Sequence, residues 1–402
     1  MKFNKWTVGL AAIGVVSLAS AARADEKMSQ VQTALSNTTL SGYVDVAATW
    51  RPGTDSGPGG GPNIPAYSFA KNDGFSLNAV DIALDKPMDE SPWASGYHVE
   101  LMFGPDATPA SLGPNSTIAN IRQAYISLRT PVGNGIDWKV GVFDTIIGYE
   151  STSDPLNPNY TRSYGYSIEP TTHTGVLATY KVADVLSMSA GVANSANNVG
   201  IFSPAPVNGT STYESQKTYL GSIVLTAPDS FGPMKGATLS FGAINSVDSA
   251  RYAAGTRSSY YAGVTLPTPS SALKLGAAFD YLNFSNNGGA NHDDSIWVAG
   301  LYTTISPTDK LSFNFRGELV DATQIGVSGI SAAPQLGYYA GHYADEVTAT
   351  VQYQLWANVL SRVEFRWDHV DKNAFGYNST AGGGLPMKEN DFMLALNLIY
   401  QF

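Results

Sequence analysis

Charged residues alternate with apolar residues in two segments near the carboxyl end of the chain. The polar positions are Arg362, Glu364, Arg366 and Asp368 in segment 360–369, and Asn314, Arg316 and Glu318 in segment 311–320. Because successive side chains of a β-strand point to opposite faces, this spacing predicts strands with one charged face and one apolar face. Side chains of these types can pair with one another or act as fixed charges on a passing solute.

A second set of charged residues belongs with these strands. The polar faces of other predicted strands carry Asp81, Glu100, Arg122, Gln123, Arg129 and Lys139. Segment 148–171, which is rich in Tyr and Pro, carries Glu150, Asp154, Arg162 and Glu169. If this segment folds over the charged faces of the strands, its acids would lie opposite the arginines. One alternative for the segment is that it extends outward and contacts neighbouring subunits. The alternative for the charges of the strands is that they pair with one another and only hold the shape of the protein.

Residues for catalysis or metal binding are sparse. The sequence has five His and no Cys, so a thiol nucleophile and a disulfide framework are excluded. His369 and Ser361 share a strand face but lie eight residues apart, so they do not form the adjacent pair that a serine hydrolase needs. Residues 291–294 (Asn-His-Asp-Asp) offer cation ligands, but such a cluster is more often only solvated. We therefore expect no enzyme activity and no cofactor.

The elements that carry these residues are predicted to be sixteen strands. Alternation places them at about 40–50, 75–85, 97–103, 118–130, 136–147, 172–180, 185–193, 218–227, 237–245, 257–266, 273–283, 295–305, 311–320, 344–355, 360–369 and 390–402. Connections after even-numbered strands are short, and those after odd-numbered strands are mostly long. This regular alternation is typical of a membrane barrel with short periplasmic turns and long external loops.

The terminal segment indicates what lies outside the sheet. In DFMLALNLIYQF, from Asp391 to Phe402, one parity is wholly apolar and the other is mixed. The length suits a tilted transmembrane strand, which needs roughly 9 to 11 residues. A soluble sandwich edge is the alternative. Predicted interface aromatics favour the membrane: Trp50, Tyr260, Tyr281, Trp297, Trp367 and Phe392 at the outer ends, and Tyr97, Trp138, Tyr180, Tyr400 and Phe402 at the periplasmic ends. Since Arg or Lys facing lipid costs a few kcal/mol, the charged faces must line the lumen.

The amino-terminal segment has the features of a secretory signal. Two lysines precede an apolar run from Trp6 to Leu18, and Ala22-Arg23-Ala24 predicts cleavage before Asp25. Without residues 1–24, which hold three basic and no acidic side chains, 20 basic and 33 acidic residues leave a net charge of −13. Nucleic acid is therefore not an expected partner. The predicted organisation is a signal peptide at 1–24, a periplasmic leader at 25–37 and an outer-membrane β-barrel at 38–402.

The chain also resembles outer-membrane porins of Gram-negative bacteria, most closely the OmpL-like β-barrel porin family. The resemblance rests on TALSNTTLSGYVD (33–45), VELMFGPD (99–106), VGVFDTIIGYE (140–150), NPNYTRSYGYSIEPTTHTGVLATY (157–180) and the terminal aromatic strand. It implies an outer-membrane barrel that acts as a passive channel, and it implies no particular solute. By analogy with porins, a homotrimer is expected.

These observations lead to one main hypothesis. The fold is all-β, an antiparallel transmembrane barrel of about sixteen strands in contact with outer-membrane lipid, and its lumen is too wide for side chains to fill. The function is passive diffusion of small hydrophilic solutes and ions past a constriction. The expected constriction residues are Arg122, Glu150, Asp154, Arg162, Glu169, Arg316, Glu318, Arg362, Glu364 and Arg366. The alternative function is a closed structural or adhesion barrel at the cell surface.

Overall fold

The computed structural model describes most of the chain from Asn37 onward. The described residues are 37–52, 73–107, 119–194, 217–248, 255–270, 272–285, 294–322, 343–371, 375 and 388–402. The predicted signal peptide, nearly all of the predicted leader and residues 291–293 of the candidate cation cluster lie outside these ranges. Within them, no helix has the length and hydropathy needed to cross a membrane.

Sixteen antiparallel strands close into a barrel in which β1 pairs with β16 and every other strand pairs with its neighbours in sequence. The strands are β1 (Thr39–Trp50), β2 (Gly74–Lys86), β3 (Ser95–Phe103), β4 (Ala119–Thr130), β5 (Ile136–Asp144), β6 (Thr172–Ala183), β7 (Leu186–Ala193), β8 (Thr218–Thr226), β9 (Thr238–Asp248), β10 (Gly255–Pro267), β11 (Leu273–Ser285), β12 (Asp294–Ile305), β13 (Leu311–Ala322), β14 (Tyr343–Trp356), β15 (Val359–Val370) and β16 (Asn390–Gln401). The predicted fold class and strand number are confirmed.

The two faces of the strands differ as the alternation predicts. In β16, Phe392, Leu394 and Leu396 are exposed on the outside of the barrel, whereas Asp391 and Asn397 are buried on the inside. The eleven predicted interface aromatics are all exposed or partly exposed, and they lie toward the strand ends to which they were assigned. Trp93 and Trp356, at the short-turn end, add to this set with exposures of 74% and 70%.

The fifth strand is shorter than the sequence predicts. The pattern VGVFDTII predicts a fifth strand through residue 147, but β5 ends at Asp144. Thr145 still donates its N–H to the carbonyl oxygen of Thr171 at 2.9 Å, and the chain then leaves the sheet. Ile147 is apolar because it packs in a cluster inside the barrel, not because it continues the strand.

The connection from β5 to β6, residues 145–171, folds into the barrel interior and is called the lumen loop below. It contains a 3₁₀ turn at Asp154–Leu156 and a short helix α1 at Tyr164–Ile168, which packs against β11 and β12. The Ser163 hydroxyl caps α1 by accepting the N–H of Tyr166 at 2.9 Å. Every residue from 159 to 171 is buried, so the loop is a packed part of the interior.

Candidate functional site

The inner wall of β13–β16 carries its charges in rows. Cross-strand pairing places Glu318, Glu346, Asp368 and Asp391 side by side on four successive strands. Two residues along, toward the short-turn end, the next row contains Arg316 and Arg366. Like charges directly opposite one another repel, so four adjacent carboxylates require nearby cations or N–H donors. The arginine row and the lumen loop supply them.

Arg316 connects the wall to the loop. Its Nη1 lies 2.7 Å from Oε1 of Glu150 in the loop, and its Nη2 lies 3.0 Å from Oε1 of Glu346 on β14. Nη1 also donates to the carbonyl oxygen of Thr161 at 2.8 Å. The side chain is essentially without solvent contact, so these charge-assisted bonds are little screened.

The other two arginines of the wall also bind loop backbone. Nε of Arg366 lies 2.9 Å from Oδ2 of Asp368, and its Nη1 donates to the carbonyl oxygen of Arg162 at 2.7 Å. Arg362 donates to the carbonyl oxygen of Asp154 at 3.2 Å and to that of Asn157. These guanidinium groups therefore bind carbonyl groups of the loop backbone, and that of Asp154 also accepts the N–H of Asn157 within the 3₁₀ turn at 3.2 Å.

The wall carboxylates receive the loop N–H groups. Glu364 accepts the N–H of Tyr160 at 2.5 Å and that of Thr161 at 2.9 Å. Glu318 accepts the N–H of Tyr164 at 2.7 Å and that of Gly165 at 3.1 Å, both in the first turn of α1. An acid at this position stabilises the free N–H groups with which a helix begins. The acids of the wall thus bind N–H groups of the loop backbone, and the arginines of the wall bind its carbonyl groups.

Arg122 anchors the amino-terminal part of the loop from the opposite side of the barrel. Its Nε lies 2.5 Å from Oε1 of Glu100, its Nη1 lies 2.9 Å from Oδ1 of Asp144, and it also donates to the hydroxyl of Thr152. A β-bulge in β4 places it there, since Glu100 pairs with Gln123 while Leu101 pairs with Ile121. The bulge lets the consecutive residues Arg122 and Gln123 both interact with groups inside the barrel.

Two of the three loop acids do not lie opposite the wall arginines. The Asp154 carboxylate lies 2.5 Å from Nη2 of Arg162 within the loop itself, and only its backbone carbonyl contacts Arg362. The carboxyl group of Glu169 interacts instead with that of Asp280 on β11. Burial and the neighbouring Asp280 raise the pKa of Glu169 well above its ordinary value of 4.5. Of the predicted acid–arginine contacts, the structure forms only that of Glu150 with Arg316.

An apolar cluster holds the first residues of the lumen loop against another part of the barrel wall. Ile147 packs with Leu220, Ile244, Tyr261 and Tyr302, whose strands lie on the β8–β12 side of the barrel. The ring of Tyr149 stacks on that of Tyr302 with centroids 3.9 Å apart. Tyr149 covers the backbone of Gly276, where an added Cβ would collide with its hydroxyl. The loop is therefore fixed by packing on one side and by charges on the other.

Several residues of the site were not singled out from the sequence. They are Thr161, Asp280, Glu346, Asp368 as a partner of Arg366, and the pair Tyr149 and Tyr302. The inward parity of β14 could have identified Glu346. The inward parity of β11 could likewise have placed Asp280 inside the barrel, but not its interaction with Glu169, because that residue lies on a loop whose path is set by distant contacts.

The described residues contain no group of three or more His, Asp or Glu side chains arranged to hold a metal ion. Residues 291–293 of the predicted cation cluster are outside the described ranges.

A closed antiparallel barrel of sixteen strands with charged inner walls is the architecture of an outer-membrane porin. The chain belongs to the family described as putative beta-barrel porin-2, OmpL-like, whose model matches residues 37–402. The predicted resemblance is thereby confirmed. No curated protein sequence matches the chain.

Solved porins share the fold at low sequence identity. The outer membrane channel DcaP of Acinetobacter baumannii superposes with a TM-score of 0.60 at 12% identity, covering 93% of this chain and 99% of that one. The anion-selective porin from Comamonas acidovorans gives 0.59 at 12% identity, covering 91% and 99%. OmpF of Salmonella typhi, in complex with daunomycin, gives 0.58 at 14% identity, covering 91% and 97%. At these identities the likeness establishes the fold alone.

Proposed function

We propose that the protein is a passive diffusion channel for small hydrophilic solutes and ions, and that the lumen loop forms its constriction. The observation that carries this proposal is the loop itself, which enters the barrel and is held there by charged groups on the wall. Sixteen strands enclose more space than their own side chains fill. A loop inside that space reduces the aqueous cross-section at mid-depth, where fixed charges act over about 8 to 10 Å.

The constriction would be formed by the groups that join loop and wall. They are the ten residues expected from the sequence, Arg122, Glu150, Asp154, Arg162, Glu169, Arg316, Glu318, Arg362, Glu364 and Arg366, with Glu346 and Asp368 added by their contacts with the arginines. Their net effect on a solute depends on which charges are already paired. Because most of them are paired, the constriction would select by size and polarity more than by one sign of charge.

Planar-bilayer recording tests the proposed function. The purified protein should give discrete conductance steps, and replacing residues 151–168 with a short Gly/Ser linker should raise the conductance of each step. Well-folded protein that gives no steps over a wide range of voltage and salt would overturn the proposal.

One observation favours a second function, a closed structural or adhesion barrel. Residues 159–171 are buried without exception, whereas a loop that only narrows a pore keeps one side in water. Comparing the conductance steps of the wild-type protein with those of the linker variant separates the two functions. Steps from the linker variant alone would identify a barrel that its loop keeps closed.

Two further proposals concern assembly and export. We infer a homotrimer, supported by a trimeric form described for the structurally similar OmpT of Vibrio cholerae, which is 12% identical with a TM-score of 0.58. Cross-linking in membranes tests it, and a monomer alone would contradict it. We also infer cleavage before Asp25, which an intact-mass measurement of membrane-purified protein checks.

A further inference from the structure

Two acidic residues join the carboxyl-terminal arm of the lumen loop, residues 164–171, to the barrel wall. The carboxyl groups of Glu169, at the end of α1, and Asp280, on β11, interact directly, and both side chains are buried, with exposures of 4% each. The backbone of α1 lies directly against this pair, since a Cβ added at Gly165 would be 2.7 Å from Oδ2 of Asp280. The contact is therefore part of how α1 packs on the wall.

Two neighbouring buried carboxyl groups can hydrogen-bond to each other only if they hold a proton. An ionised carboxylate only accepts hydrogen bonds, so one member of the pair must carry a proton to donate. Oδ1 of Asp280 is buried and has no hydrogen-bond partner among the described residues, which is costly for a charged carboxylate. Two carboxyl groups that share a site in this way hold one proton at a pH where an exposed pair would hold none.

The charged groups that act most strongly on the pair are acids. Glu150 of the loop and Glu318 of β13 both act on Glu169 and disfavour its ionisation. Arg316, which lies next to these acids, already pairs with Glu150 at 2.7 Å. On β10, Tyr261 lies near both carboxyls, and Arg257 donates to the carbonyl oxygen of Ile168 at 3.2 Å. The acids facing Glu169 thus reinforce the need for a proton.

We propose that Glu169 and Asp280 form a proton-dependent latch, which holds the carboxyl-terminal arm of the lumen loop against β11 and releases it when the shared proton is lost. The inference rests on the proposed channel function only where conductance is the readout. The sign follows from linkage. A raised pKa of Glu169 means that the packed arm binds protons more tightly than the released arm, so its stability falls as pH rises above the ordinary Glu value of 4.5.

Cysteine labelling tests the latch without using conductance. The natural sequence has no Cys, so Ser167→Cys introduces a single thiol into α1, at a position that is 3% exposed. The rate of modification by a small methanethiosulfonate reagent is measured at several pH values in S167C and in S167C with Glu169→Gln. The Gln amide can donate to Asp280 without a shared proton, so the contact in the second variant does not depend on this proton. Because both variants carry the same thiol, the ratio of their labelling rates also corrects for thiol ionisation.

The expected result is a ratio of labelling rates, S167C over S167C/E169Q, that rises about tenfold or more from acid to mildly alkaline pH. Asp280→Asn is the reciprocal variant, and it should likewise remove the pH dependence. A ratio that stays constant in folded protein would overturn the latch. Protection that depends on added Ca²⁺ and is lost with a chelator would also overturn it, because a cation would then replace the proton.

Bilayer recording provides a functional test. The wild-type single-channel current should change with pH, whereas that of E169Q should keep its acid-pH value throughout. Conducting wild-type channels with no pH dependence would count against the latch and leave the channel intact. Absence of steps in every variant would instead refute the proposed channel, and the labelling ratio would still decide the latch.

Discussion

At the scale of single residues, the site works through buried charges that are almost all committed to partners. Arg316 contacts Glu150, Glu346 and the Thr161 carbonyl at once. Taking a guanidinium and its carboxylates out of water is costly, and such a network is favourable only when each group is hydrogen-bonded. The wall therefore binds the loop strongly only as a complete set.

The first prediction concerns Arg316. Arg316→Met leaves buried acids without their cation, and removing one partner of a buried pair typically destabilises by about 3–5 kcal/mol. Urea unfolding in detergent should show this loss in the free energy of unfolding. Adding Glu150→Gln to Arg316→Met should recover part of it, because the two residues interact directly. Strictly additive effects of the two substitutions would show that the pair is not coupled.

The second prediction concerns the charges of the wall. The double variant Arg362→Glu, Arg366→Glu replaces donors to the loop carbonyls of Asp154 and Arg162 with acceptors. It should shift the reversal potential in a salt gradient toward cations and, because the loop is repelled, also raise conductance. The control is Lys181→Glu with Lys235→Glu, the same charge change on residues whose side chains are 51% and 61% exposed. An equal shift in the control would mean that total charge, not the wall, sets selectivity.

The sequence predicted which face of a strand carries each wall arginine, but it did not predict the groups that these arginines contact. Parity places Arg362 and Arg366 inside the barrel because the strand period is two. The same rule cannot place Arg122 and Gln123 together, since adjacent residues point to opposite faces unless a bulge intervenes. The partners of Arg362 in the lumen loop are backbone carbonyls, which every residue type carries, so no sequence pattern predicts them.

At the scale of elements, the lumen loop is positioned by two unlike surfaces. Its base packs on apolar groups of β8–β12, and residues 159–165 bind the charged wall of β13–β15. Removing one charge from the wall leaves its buried partner unpaired, whereas the apolar contacts at residues 147 and 149 do not depend on that charge. The base should therefore stay fixed under conditions that loosen the rest of the loop.

The third prediction tests the base. Gly276→Ala introduces a Cβ that collides with the hydroxyl of Tyr149, so the Tyr149–Tyr302 stack must shift. We expect larger current fluctuations in the open channel and a changed mean conductance. Gly221→Ala is the matched control, because an added Cβ at that strand glycine meets nothing within 4 Å. Identical recordings from the two variants would show that the stack does not position the loop.

The elements were largely predictable from the sequence, and the reason is physical. Each strand lies between an outer and an inner environment, so its alternation is strong and its extent can be estimated to within a few residues. The loop has no such repeat. Its inward path depends on contacts such as Glu150 with Arg316, which are 166 residues apart, and its Tyr and Pro content indicated only a packed segment.

At the scale of the whole molecule, the barrel is one closed sheet, and its stability depends on the seam between β1 and β16. Closure removes the unpaired edges that an open sheet would present to lipid, where each unsatisfied backbone group is costly. The seam pairs Tyr43 through Trp50 with Leu394 through Gln401. Because these strands are the first and last in sequence, the seam forms only when both ends of the barrel are complete.

The fourth prediction tests that seam at Phe402. Its N–H donates to the carbonyl oxygen of Gly42 and its carbonyl accepts the N–H of Gly42, both at 3.0 Å, while its ring lies where a Cβ on Gly42 would be 2.8 Å away. Deleting Phe402 removes both hydrogen bonds, each worth about 0.5–1.5 kcal/mol, together with the aromatic contact. Phe402→Ala keeps the backbone pairing and removes only the ring.

We therefore expect the fraction of protein in the compact, heat-modifiable form to fall in the order wild type, Phe402→Ala, deletion, while export across the inner membrane is unchanged. The ring contributes through its position at the membrane interface, where an aromatic side chain is favoured, and the hydrogen bonds contribute by closing the sheet. If the alanine variant folds as well as wild type and the deletion does not, backbone closure alone would account for the effect. If both fold normally, the seam does not need its last pair, and the remaining pairs from Tyr43 to Trp50 are sufficient to close the barrel.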